Sequence, residues 1–250
     1  MRYALALLAA LWLTGASAQI KPAMMLPQSV APQAAGSSVT HDASGTAACD
    51  GTGSGTITLN CTTLTIGTGG SNYALVVYAS FAAVAVPSVA TATWNGTSVP
   101  NVVNAVNPNN SAGVEMWCLA APTSGNQTLS ITITATDLTE IHAIAASYYN
   151  VNQTTPCANG TSSTSATESL TGSITVTSNV GDIATAVFTQ GQTSEASMNG
   201  TVIVINDDAG PNVDFNANYI AGASTVNLTC TASSGTPQWA IGAVDIQAVP

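Results

Sequence analysis

From about residue 55 onward the chain alternates Thr or Ser with aliphatic residues, and Gly, Asn or Pro interrupts the alternation at short intervals. A period of two sends successive side chains to opposite faces of an extended strand. No segment sustains the 3.6-residue period of a helix, so the pattern predicts many short β-strands. Residues 56–66 read TITLNCTTLTI, and residues 73–80 (YALVVYAS) form a continuous apolar run suited to a central strand covered on both faces. Residues 89–94 run into Asn95-Gly96, the strongest short hairpin signal. Strands are expected at 114–120, 127–135 and 141–149, with PTSGN and the acidic TDLTE as the turns between them. Further strands at 173–177, 182–189, 201–205, 224–231 and 238–246 bring the total to about eleven. As one open sheet they would leave long exposed edges. The expected fold is therefore all-β: a two-sheet antiparallel β-sandwich of jelly-roll type, forming a single domain over 49–250.

Ahead of the strands, Arg2 precedes an apolar run over residues 3–13, and Ala16, Ser17 and Ala18 stand before Gln19. That is the pattern of a cleavable signal peptide over 1–18, and the run is too short for a membrane span of roughly 20 residues. The expected location is outside the cell, secreted or at the cell surface. Residues 19–48, rich in Ala, Pro, Ser and Gln, read as a flexible arm.

Cleavage at residue 18 leaves Lys21 as the one basic residue against 12 acidic ones, a net charge of −11. Phosphate backbones and anionic lipid surfaces both demand clustered Lys or Arg, which excludes nucleic acid as a partner. Salt bridges cannot hold such a chain together; apolar burial and hydrogen bonds must. Lys21 precedes Pro22, so proteases that cut after Lys or Arg find little to cleave.

Five cysteines in an exported chain are disulfide candidates, and the odd count leaves one over. Cys49 and Cys61 bracket CDGTGSGTITLNC and are expected to face each other across a hairpin. Cys230, in phase with Val226 and Leu228, reads as a small apolar core residue.

Candidate chemistry is sparse. His41 lies in the arm and His142 on a strand, and no G-x-S-x-G elbow accompanies them, so a Ser-His-Asp triad has little support. Glu115 lies two residues before Trp117 on one strand and is the candidate carboxylate for a glycoside hydrolase. Trp94, Trp117 and Trp239 are candidate sugar-stacking surfaces; Trp94, beside a hairpin turn, is the best placed of them, and packing is the default for the other two. Asp207, Asp208 and Asp214 concentrate oxygen ligands in one turn and are the candidate calcium site, calcium being the only cofactor expected.

Several stretches, taken in order, resemble a widespread and mostly uncharacterised β-sandwich domain family of exported bacterial and phage-associated surface proteins. They are ALVVYAS (74–80), VATATWNGTSV (89–99), VEMWCLAAPTSGNQTLSITIT (114–134), AASYYNVNQTTP (145–156) and WAIGAVDIQ (239–247). The resemblance implies a β-sandwich module appended to surface or virion proteins, and it brings no catalytic residues with it. Cys118 stands where the family more often has Tyr, and Asn150 where it often has Gly. The expected function is a secreted, non-catalytic structural or interaction module: a surface fibre, an adhesin-like protein or a virion component. Its partners would be copies of itself, as a homo-oligomer or filament, or surface glycans. The alternatives are a carbohydrate-binding module assisted by calcium and, behind it, a carboxylate-based glycoside hydrolase.

Overall fold

A computed structural model describes residues 37–45, 49–67, 69–83, 90–107, 112–165, 167–190, 196–206, 214–233 and 238–250. The signal segment, residues 19–36 of the arm, and Asp207 and Asp208 lie outside the described residues. Every regular element among the described residues is a β-strand and every ladder is antiparallel, the class the alternation predicts.

The first half of the chain carries β1 (Thr40–Ser44), β2 (Cys49–Ile66), β3 (Ala74–Ala83) and β4 (Thr91–Trp94). It continues with β5 (Thr97–Val99), β6 (Asn101–Asn107), β7 (Ala112–Ala120) and β8 (Gly125–Tyr149). These form one sheet in the order β5-β4-β8-β3-β7-β6, with β1 and β2 also pairing with β8. β1 lies within the stretch read as a flexible arm, and it runs along β8 from Thr40↔Tyr149 to Ser44↔Ala146.

The β2/β8 ribbon explains how one sheet encloses a core. Cys49 and Cys61 are 12 residues apart on the same strand, which would separate them by about 40 Å in a straight strand. Their Cα atoms are 5.7 Å apart. The ribbon therefore doubles back on itself, at bulges around Gly53 and Gly55 on β2 and at Asp137 on β8. Gly53 (φ 147°), Gly55 (φ 87°) and Asp137 (φ 51°) all take positive φ there, a conformation open to Gly and tolerated by Asp. The hairpin expected between the cysteines is thus a folded single strand, and the acidic TDLTE is the corner of β8 rather than a loop. Between the two layers lie Leu75, Val77, Phe81, Trp94, Trp117 and Ile131, all buried.

The second half carries β9 (Cys157–Ser165), β10 (Thr171–Val176), β11 (Ile183–Gln190) and β12 (Ala196–Met198), then β13 (Thr201–Asn206), β14 (Asp214–Ala221), β15 (Val226–Ala232) and β16 (Trp239–Ile246). A five-stranded sheet, β13-β14-β11-β16-β9, faces a three-stranded one, β10-β15-β12. Val176, Phe188, Leu228, Cys230, Trp239 and Ile241 are buried between them. The architecture thus goes beyond the expected single pair of sheets.

The two halves repeat each other ladder by ladder. On β3, Ala74 pairs with Tyr148 and Ala120, and Phe81 with Ile141 and Gly113. On β11, Ile183 pairs with Ile246 and Ala221, and Gln190 with Trp239 and Asp214. Leu64↔Gln127 and Ile66↔Gly125 correspond to Ile174↔Leu228 and Val176↔Val226. Trp94↔Leu129 corresponds to Met198↔Cys230, each immediately before an Asn-Gly pair. Even a bulge recurs, between Asn101 and Val103 on β6 and between Val202 and Val204 on β13. An internal structural duplication accounts for all of these matches.

The halves pack through their larger sheets. On β3, Leu75, Val77, Ala79 and Phe81 enter the first core, while Ala74, Val76 and Tyr78 enter a second, shared with Val187, Phe215 and Val244. This is the doubly covered strand that YALVVYAS predicts. In that shared layer the Tyr78 hydroxyl lies 2.9 Å from the hydroxyls of both Tyr148 and Thr185, and Thr185 donates to the Asn218 carbonyl at 2.8 Å. Full burial of one Val, Leu, Ile or Phe is worth about 1.5–3 kcal/mol. With only 6% charged residues, these three apolar layers are what hold the chain folded. Gly36–Pro250 forms one compact unit.

Candidate functional site

The tryptophans proposed as sugar platforms all turn inward. Trp94 is 0% exposed, a correction to its expected surface position: along β4, Ala92 and Trp94 face the core while Thr91 faces solvent. Its indole N–H donates to the Thr123 carbonyl at 2.9 Å. Trp239 donates to Ser169 O at 2.7 Å and meets Phe188 edge to face. Trp117 is buried in the first core. None of the three presents a ring face to solvent, so the aromatic platform that motivated carbohydrate binding is not formed by them.

Glu115 shares the inner face of β7 with Trp117, as its spacing predicts, but that face is core rather than cleft. One carboxylate oxygen accepts from the Ala90 N–H at 2.9 Å and the other from Asn101 Nδ2 at 3.1 Å. Burial pushes its pKa up to about 7, opposed in part by the Ala90 N–H. A carboxyl so enclosed ties the Ala90 backbone and the Asn101 side chain to β7.

His142 is buried and meets two carboxylates and an aromatic ring. Its Nδ1 lies 2.6 Å from Asp50 Oδ1 on β2 and its Nε2 2.8 Å from Glu140 Oε1 on β8, and its ring stacks on Phe215 of the other half. Directly across the β3/β8 ladder is Ser80, whose hydroxyl is buried without a hydrogen-bond partner. Ser80, His142 and Asp50 are the residue types of a hydrolase triad, and the β3/β8 and β2/β8 registers together set Ser80 and Asp50 on either side of His142. Glu140 occupies the imidazole nitrogen that would have to receive the serine proton. Ser80 is 0% and His142 1% exposed. The arrangement therefore works as a polar clasp between β2, β8 and the second half.

Of the candidate calcium ligands, Asp214 begins β14 with its side chain buried and accepts from Gln190 Nε2 at 2.5 Å. Asp207 and Asp208 are outside the described residues, among which no group of three or more His, Cys, Asp or Glu is arranged to hold a metal ion.

A second acidic pair was not foreseen. Asp182 receives N–H donors from Asn179 and Ala248, and Asp245 receives the Ser178 hydroxyl at 2.6 Å. Burial, reinforced by the neighbouring Asp182 carboxyl, pushes Asp245 up to about 7. In a chain with almost no cations, keeping Asp245 protonated relieves its repulsion with Asp182.

The expected Cys49–Cys61 disulfide is formed. A second, Cys118–Cys157, joins β7 to β9 and so links the two halves; a sequence separation of 39 offered no local cue. Cys230 is a buried free thiol, as its phase predicts, and burial pushes its pKa up to about 12. A small pocket behind Cys49–Cys61, lined by Leu64, Trp94 and Leu129 among others, is apolar and holds no acid, base or hydroxyl nucleophile. Comparisons with family models, with curated proteins and with solved structures find no match to this chain.

Proposed function

We propose that this chain is a secreted, non-catalytic structural or interaction module of the cell or virion surface, built as two jelly-roll sandwiches in tandem. The single observation that carries the proposal is the covalent and apolar union of two duplicated sandwiches: a shared core between their larger sheets, pinned by Cys118–Cys157. Two disulfides suit an oxidising, extracellular environment. The jelly-roll topology is supported by the strand order. The larger sheets contain β1, β8, β3, β7 and β9, β16, β11, β14; the smaller contain β2, β8, β4 and β10, β15, β12. That interleaving is the one two Greek keys produce.

The outer face supports an interaction role. It is lined with cross-strand threonine pairs, Thr56 with Thr134, Thr58 with Thr132 and Thr171 with Thr231, each about 3 Å apart between hydroxyls. The side chains suited to chemistry are spent on structural ties. Membership of the exported surface-protein family suggested by the sequence motifs fits the same role.

The test is to secrete the full chain, establish that the mature N-terminus is Gln19, and follow it by sizing with light scattering, first with calcium and then with chelator. An exported, protease-resistant protein that assembles or binds a surface supports the proposal. Turnover of a polysaccharide or ester that is lost in a Glu115→Gln or Ser80→Ala variant overturns it.

A further inference from the structure

The duplication supplies an internal control for reading the surface. β6 and β13 occupy the same place, each the outermost strand of a large sheet and each with the same bulge. The register equates Asn101 with Val202 and Asn104 with Ile205. In the first half both positions carry exposed asparagines. In the second they carry Val202 and Ile205, each 43% exposed. The same structural position is therefore solvated in one half and apolar in the other.

An edge strand offers a row of unpaired N–H and C=O groups, and proteins that must stay apart blunt such edges with charge, Pro or bulges. β13, TVIVIN, shares the Val202/Val204 bulge with β6 but has neither charge nor Pro along residues 201–205, and among the described residues no strand pairs with its outer side. We infer that the outer edge of β13 is an interface with β13 of a second copy of this chain, the two strands pairing antiparallel about a twofold axis.

The occupant follows from charge and register. A mature chain of net charge −11 repels its own copies almost everywhere, so a self-contact has to form where no carboxylate stands. The stretch from Ala196 to Asn206 contains no acidic residue. Antiparallel pairing of β13 centred between Ile203 and Val204 sets Val202 of each copy opposite Ile205 of the other, so both exposed apolar side chains are matched twice. Such an isologous contact closes on itself as a dimer and continues the five-stranded sheet through both copies. This inference rests on the interaction-module proposal and names its partner and surface.

The experiment is sedimentation of the mature chain over a concentration series reaching about 100 μM, where a dimer with a micromolar dissociation constant is saturated. A Val202→Asn/Ile205→Asn double variant gives β13 the residues that β6 already folds with, so loss of folding is not the expected result; circular dichroism checks it. The expected result is a wild-type dimer whose dissociation constant rises at least about tenfold in the double variant, a loss of roughly 1.4 kcal/mol. Asn104→Lys on β6 is expected to leave the dimer unchanged. A wild-type monomer across the series overturns the inference, as does a dimer indifferent to the double variant. In the latter case a chain lacking residues 19–36 is run alongside. Assembly lost there would sink the β13 edge while leaving the interaction-module reading standing.

Discussion

Cys118 on β7 is bonded to Cys157 on β9, a cross-link between two sandwiches that also meet through apolar side chains, buried hydroxyls and hydrogen bonds such as Val39 N–H to the Gly181 carbonyl. Closing its 39-residue separation removes more disorder from the unfolded chain than closing the 12-residue separation of Cys49 and Cys61. The loop-entropy relation gives about 4 kcal/mol for the longer loop and about 3 kcal/mol for the shorter. A Cys118→Ala/Cys157→Ala chain is expected to lose more unfolding free energy in urea than a Cys49→Ala/Cys61→Ala chain. Equal losses would mean that the union of the halves does not depend on the cross-link.

Tyr78 tests the shared layer from its polar side. Its hydroxyl touches both Tyr148, on the first half, and Thr185, on the second, and all three groups are buried. Tyr78→Phe keeps the ring and removes the bridge, leaving the Tyr148 hydroxyl without that partner. The expected cost is about 1–3 kcal/mol in denaturant unfolding. A change below about 0.5 kcal/mol would show that the hydroxyl network adds nothing to the apolar packing around it.

What the sequence made legible, and what it hid, divides along physical lines. YALVVYAS announced a doubly covered strand because both of its faces are apolar, and Asn95-Gly96 announced its hairpin. β9, CANGTSSTS, escaped because Ser, Asn and Gly carry no β-pattern of their own, and β14, DFNANYIA, because its alternation is short and set between Asn residues; both are held as strands by pairing with β16 and β11. Trp94 was misplaced because proximity to a turn says nothing about which face of a four-residue strand a side chain takes. The duplication was hidden because equivalent core positions hold different residues: Trp94 and Met198, Leu129 and Cys230, Phe81 and Gln190. Backbone register preserved what side-chain identity lost. The clasp around His142 needed the β2/β8 register and the packing of the second half, which no local pattern encodes.

Ser80 separates a structural clasp from a catalytic one. Its hydroxyl is buried without a partner, an arrangement that costs free energy in the folded state. Ser80→Ala removes that orphan and leaves a small apolar side chain between Tyr78 and Ala82. The variant is expected to match or exceed the wild type by up to about 1 kcal/mol in thermal or urea unfolding. A marked loss of stability would reveal a hydrogen bond made in solution. A loss of some assayed turnover without loss of stability would return Ser80 to the role of nucleophile.

The acid–base balance of the buried carboxyls predicts an unusual pH profile. Asp245 and Glu115 both titrate near 7 when folded, above their ordinary values of 3.8 and 4.5. Between those limits the folded chain binds more protons than the unfolded one, so stability falls as pH rises from about 4 to about 7 and levels off beyond. His41 works in the opposite sense: burial lowers its pKa, and its contribution is lost as pH falls through the unfolded value of 6.5. Two raised carboxyls outweigh one depressed imidazole, so the melting temperature at pH 5 is expected to exceed that at pH 8 by several degrees, each kcal/mol being worth about 2–4 °C for a chain of this size. Asp245→Asn keeps the shape and removes the carboxyl that titrates beside Asp182. That variant is expected to melt higher than the wild type at pH 8 and to show a flatter profile between pH 5 and 8. An Asp245→Asn chain with an undiminished slope would assign the pH dependence to other groups, Glu115 first among them.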